Sequence, residues 1–129
     1  MTTYSHPGFS ALIVGLPQVE SSALVGELRA RGGSCISVAD GFEAVKLMAA
    51  KPPDILFVDA NTLRLDGYAL CALARHGAGN RSIRIVLRLG EDSAFESVRA
   101  QLSGADFVIK DVLGQGASHA ADIALSALR

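Results

Sequence analysis

Tryptophan is absent, cysteine and methionine occur twice each, and aromatic residues make up only 5% of the 129 residues. The two cysteines, Cys35 and Cys71, have neither metal-ligand nor redox spacing, which argues for two buried free thiols. Lysine is scarce, with three Lys against nine Arg, and these cations are spread along a chain of net charge −1. That balance gives no electrostatic case for a nucleic-acid or membrane partner. No apolar run approaches the ~20 residues of a membrane span. Met1–Pro7 has no charged segment leading into an apolar one, so no signal peptide is read and the cytoplasm is the expected compartment. Dinucleotide fingerprint, Walker loop, zinc spacing and nucleophile elbow are all missing. His6, His76 and His119 are far apart and support neither a metal site nor an acid–base pair. An independent enzyme is therefore not expected.

What is present is a chain that is 50% hydrophobic and 19% charged, long enough for one domain with a real core. Residues 1–9 read as an extension and 10–129 as the domain, with no internal repeat, linker or low-complexity tract. Five short apolar runs alternate with stretches of helical periodicity. The runs are Ser10–Gly15, Ser34–Val38, Ile55–Val58, Ile83–Leu87 and Asp106–Ile109. The helical stretches are Ser21–Arg31, one opened by Asp40-Gly41 and stopped by Pro52-Pro53, Gly67–Arg75, Asp92–Leu102 and Ser118–Leu128. In the first helix Leu24, Val25 and Leu28 form the apolar face, with Glu20, Glu27, Arg29 and Arg31 assigned to the opposite one. The second carries Phe42, Val45, Leu47 and Met48, and the inner face of the third is Leu70, Leu73 and Ala74. Asp66 reads as the N-cap of the third and Ser118 as that of the last. A glycine-rich loop at Gly77–Gly79 precedes the fourth strand. Strict strand–helix alternation predicts an α/β fold, a doubly wound five-stranded parallel sheet with helices on both faces. At this length the order 2-1-3-4-5 is favoured.

In that order the ligand crevice lies outside the carboxyl ends of strands one and three. Gly15-Leu16, Asp59, Arg88-Leu89 and Lys110 should gather there. The pattern Asp59…Asp66-Gly67, followed by Gly104-Ala-Asp-Phe107-Val-Ile-Lys110, resembles the receiver domain of CheY-like bacterial response regulators over about residues 10 to 128. Asp40-Gly41-Phe42-Glu43-Ala44 and Arg64-Leu65-Asp66-Gly67-Tyr68 look like stand-alone receivers of type IV pilus (twitching motility) chemosensory systems. The resemblance implies two-component signalling in which Asp59 accepts a phosphoryl group from a histidine kinase. It also implies an acidic pair after strand one that holds Mg²⁺, a Ser or Thr at the end of strand four, the Lys110 position pairing with the phosphoryl group, and a switch aromatic at Phe107.

The chain departs from that pattern at several of these positions. Gly15 and Leu16 stand where the acidic pair is expected, Arg88 takes the Ser/Thr position, and Leu63 takes that of a proline. Asp59 alone offers a hard octahedral cation too few oxygens, so no Mg²⁺ or other cofactor is expected. Glu20, a turn further on, is read as a solvated carboxylate or one complementing the helix dipole. Arg88 is expected to extend over Asp59, and with Lys110 to give a pocket of two cations and one anion. Phe107, without its Ser/Thr coupling residue, is read as fixed strand-five packing. Arg64, Arg75, Arg81 and Arg84 are read as solvated residues.

The leading reading is a degenerate receiver, a phosphorylation-independent signalling module whose strand-four to helix-five face docks a protein partner. One alternative is a working phosphoacceptor using Asp59 with a histidine kinase. Another is a sensor whose arginines bind an anionic nucleotide. Oligomeric state is left open by the sequence.

Overall fold

The computed structural model describes residues 8–77, 82–90, 94–114 and 116–126. The elements run β1 Ser10–Val14, α1 Gln18–Ala30, β2 Ser34–Val38, α2 Gly41–Ala50, β3 Ile55–Asp59, α3 Gly67–His76, β4 Arg84–Arg88, α4 Ala94–Leu102, β5 Phe107–Ile109 and α5 Ala117–Ser126. All strand pairs are parallel and the sheet order is β2-β1-β3-β4-β5, as the alternation predicts. Each residue of β3 is buried, as befits a central strand covered on both faces, whereas β2 exposes three of its five residues at the sheet edge.

Side-chain alternation along the strands sorts the core into two layers. On one face Leu12, Val14, Leu56, Val58, Ile85 and Leu87 pack against Ala44, Met48, Leu70, Cys71 and Ala100 of α2, α3 and α4. On the other, Ile13, Ile55, Phe57 and Val86 pack against Leu24, Leu28, Ala121 and Ala124 of α1 and α5. Phe9, assigned to the extension from sequence, is buried in this second layer. Asp40 and Asp66 cap α2 and α3, accepting hydrogen bonds from Glu43 N (2.8 Å) and Ala69 N (2.9 Å).

Several local expectations are corrected. Helix α1 begins at Gln18, directly after Pro17, so Glu20 falls in its first turn. Leu73 is exposed, while Tyr68 and Cys71 take inner positions on α3 instead. Ser118 lies inside α5 rather than capping it, and its hydroxyl accepts from Arg31 Nη2 at 2.7 Å. Strand β4 runs one residue later than expected and so carries Arg88 as its last residue. The expectations for His6, Gly79, Arg81, Asp92 and Leu128 lie outside the described residues.

Candidate functional site

Strands β3 and β4 end together, because their register pairs Asp59 with Arg88. Neighbouring residues in register point to the same face of a sheet, here the face covered by α1 and α5. The Arg88 Nη1 therefore reaches the Asp59 Oδ1 at 2.7 Å. The other Asp59 oxygen, Oδ2, accepts the backbone N–H of Asn61 at 2.9 Å. Both oxygens of the Asp59 carboxylate are thus engaged, and the residue is only 6% exposed. Behind it the Asp59 carbonyl accepts from the Thr62 hydroxyl at 2.6 Å. Gly67 lies against that carbonyl so closely that a Cβ would stand 2.2 Å from the oxygen.

The site also contains a residue that the sequence places elsewhere. Glu20 is 7% exposed, not solvated, and its carboxylate takes Arg88 Nε on Oε1 and Arg88 Nη2 on Oε2, both at 2.8 Å. Oε1 also accepts the backbone N–H of Val112 at 2.7 Å. One signal for this was available. Glu20, Leu24 and Leu28 are spaced i, i+4, i+8, which puts the carboxylate on the buried stripe of α1. The carboxylate of Glu20, opposed by burial and seconded by that of Asp59, raises the Arg88 pKa above its ordinary value. Arginine is fully charged here at any working pH.

Lys110 does not join the cluster. Its side chain is exposed and has no hydrogen-bond or ion-pair partner among the described residues; only its backbone carbonyl is used, accepting from Gly90 N at 2.9 Å. The reason is strand alternation: Phe107 and Ile109 turn toward α1 and α5, so Val108 and Lys110 turn away. The expected pocket of two cations and one anion is therefore one cation held between two carboxylates.

Gly15 and Leu16 follow β1. Gly15 has φ +73° and sits against Thr62, whose Oγ1 would be 2.5 Å from an added Cβ. Leu16 is half-buried against the α1/α5 layer. Among the described residues, no three His, Cys, Asp or Glu side chains come together as a cation site. Phe107 is half-buried opposite Val86 and packs into the same layer. Among the described residues, Arg64, Arg75 and Arg84 do not form one patch. Arg75, read as solvated, is largely buried and donates to the carbonyls of Ile83 and Gly104 and to Asp106, while Arg84 lies 3.9 Å from Asp106. Arg64 is at the other end of the sheet, over the Phe42 ring.

No family model matches the chain. The protein PilG of Pseudomonas aeruginosa is 33% identical over 79 residues, which are 61% of this chain and 58% of PilG, so the chain spans a little over half of that relative. Among solved structures, the signal receiver domain of a signal transduction histidine kinase from Syntrophus aciditrophicus matches with TM-score 0.76 and 27% identity, over 95% of this chain and 93% of that one. An orphan response regulator of H. pylori matches with TM-score 0.81 and 16% identity, over 96% and 100%. The receiver domain of a Pseudomonas aeruginosa sensor histidine kinase, with a magnesium ion coordinated in its active site cleft, matches with TM-score 0.75 and 20% identity, over 92% and 98%. These likenesses identify the fold as the CheY-like receiver fold.

Proposed function

We propose that this chain is a receiver module that signals through protein contacts without taking up a phosphoryl group. The observation that carries the reading is the double engagement of Asp59, by Arg88 Nη1 on one oxygen and Asn61 N on the other. These donors take one lone pair on each oxygen, and the cationic one opposes by like charge the approach of a metal ion to the carboxylate. Mg²⁺ does not fit this donor set. It needs near-octahedral oxygen ligation, yet Gly15 and Leu16 offer no side-chain oxygen and both nearby carboxylates are turned to Arg88. The guanidinium supplies in place the positive charge that a metal would bring.

In this reading the partner docks on the β4-to-α5 side. Leu102 on α4, Val108 on β5 and Leu113 before α5 are all exposed there, Leu102 to 82%. Similarity to PilG supports a pilus or chemosensory pathway as its setting. No helix among the described residues is long and apolar enough to cross a membrane.

The test is a titration of Mg²⁺ with beryllofluoride, a phosphoryl mimic, read on the Asn61 amide by two-dimensional NMR. The expected result is no saturable shift at millimolar ligand. A saturable shift, or kinase-dependent labelling that Asp59→Asn abolishes, favours a working phosphoacceptor instead.

A further inference from the structure

Three donors from two separate parts of the chain converge on the Glu20 carboxylate: Nε and Nη2 of Arg88, and the backbone N–H of Val112. A planar guanidinium fork joined by a backbone amide is the donor set that selects a carboxylate over other groups. The first turn of α1 favours a negative charge at Glu20 but does not require that it be buried. The next residues along its stripe are Leu24 and Leu28, both fully buried. A leucine at this position would continue the stripe without desolvating an anion, whose burial is costly unless its donors are fixed. Arg88 is already paired with Asp59 through Nη1, so the fork toward Glu20 is additional to the bond that quiets Asp59.

We infer that Arg88 and the Val112 N–H form a carboxylate-binding site that the chain fills with its own Glu20, and that the filled site sets the loop from β5 to α5. Val112 is buried at 1% exposure between α1 and α5, while its neighbour Leu113 is exposed on the partner side. Seating Glu20 therefore ties the first turn of α1 to the segment that presents Leu113. Val112 receives its anion from within the chain and needs no diffusible ligand at its backbone N–H. This rests on the proposed reading of a phosphorylation-independent module, and it adds the contact that replaces ligand control.

The experiment is chemical rescue of the full chain carrying Glu20→Ala. The variant should melt at lower temperature, shift the Val112 amide signal and speed its hydrogen exchange roughly tenfold or more. Sodium acetate should reverse all three saturably, whereas acetamide, equal in shape but uncharged, should not. A folded variant whose Val112 amide stays protected overturns the inference. So does a variant that acetate and acetamide restore equally, since that is cavity filling. If Glu20→Ala does not fold, Glu20→Gln decides. It should move the Arg88 side-chain N–H signals while keeping volume, and unmoved Arg88 signals overturn the inference. The two readings fail separately. A beryllofluoride response at Asn61 in the wild type sinks phosphorylation independence and leaves acetate rescue untouched; absent rescue at Val112 leaves the Asn61 result standing.

Discussion

Arg88 grips Glu20 with two parallel hydrogen bonds, Nε to Oε1 and Nη2 to Oε2, across a separation of 68 residues in sequence. The third direction of the same guanidinium reaches Asp59. One side chain at the end of β4 thus joins α1, β3 and, through Glu20, the loop before α5. Two carboxylates share one cation in a place where none of the three side chains is more than 17% exposed. Such a cluster holds together only while every member is present, because each remaining charge would be stranded away from water.

Arg88→Ala strands both carboxylates at once. Removing one partner of a buried ion pair costs about 3–5 kcal/mol, so the variant is expected to lose stability on that order in urea unfolding, with an unchanged dependence on denaturant. Arg88→Lys keeps the charge but offers a point donor in place of a fork. It should fall between wild type and Arg88→Ala. Equal stability of Arg88→Ala and wild type would mean that the cluster contributes nothing net.

Gly15→Asp is the obvious attempt to restore a metal-binding carboxylate after β1, and it should fail. The backbone there has φ +73°, and a Cβ would meet the Thr62 hydroxyl at 2.5 Å. A non-glycine residue in that region costs roughly 1–3 kcal/mol before the clash is counted. The expected outcome is a lower melting temperature and no Mg²⁺-dependent stabilisation. Arg88 still occupies Asp59 in that variant, so Gly15→Asp combined with Arg88→Thr is the pair from which magnesium binding is to be sought by calorimetry.

Thiol chemistry gives an independent check on the core. Burial pushes the Cys71 thiol up to about 12. It raises that of Cys35 as well, against a smaller opposing effect of Arg29. The thiolate is the reactive form, so at mildly alkaline pH neither cysteine should react with a disulfide reagent while the chain is folded. Both should react promptly in denaturant. Rapid labelling of Cys71 in the native protein would contradict its burial on the inner face of α3.

The fold was legible because alternation and strand length are local properties that tertiary contacts only reinforce. Asp59 and Arg88 were legible as neighbours for the same reason, since parallel strands of similar length end at one edge of the sheet. Glu20 was not. Its charge argued for solvent, and only a cation arriving from β4 makes its burial tolerable. The i, i+4, i+8 relation to Leu24 and Leu28 pointed inward, and residue polarity outweighed it. Lys110 was misplaced by the opposite error, in which proximity in the fold was allowed to outweigh strand alternation.

Tyr68 supplies a pH dependence whose sign can be stated. Its hydroxyl donates to the Glu96 carboxylate and Arg99 lies 4.1 Å from the ring centre. Burial first, and then the hydrogen bond to Glu96, raise the phenol from 10.0 to about 12, with Arg99 opposing. The folded state therefore holds the phenolic proton more tightly than the unfolded state does. The associated stability is fully present below about pH 10 and is lost as pH rises through about 12. Tyr68→Phe has no proton to release, so wild-type stability should fall relative to this variant across that window. A difference spectrum between the two proteins isolates the Tyr68 phenolate from that of Tyr4, the other tyrosine of the chain. A phenolate midpoint near pH 10 would show that the hydroxyl is neither buried nor bonded to Glu96.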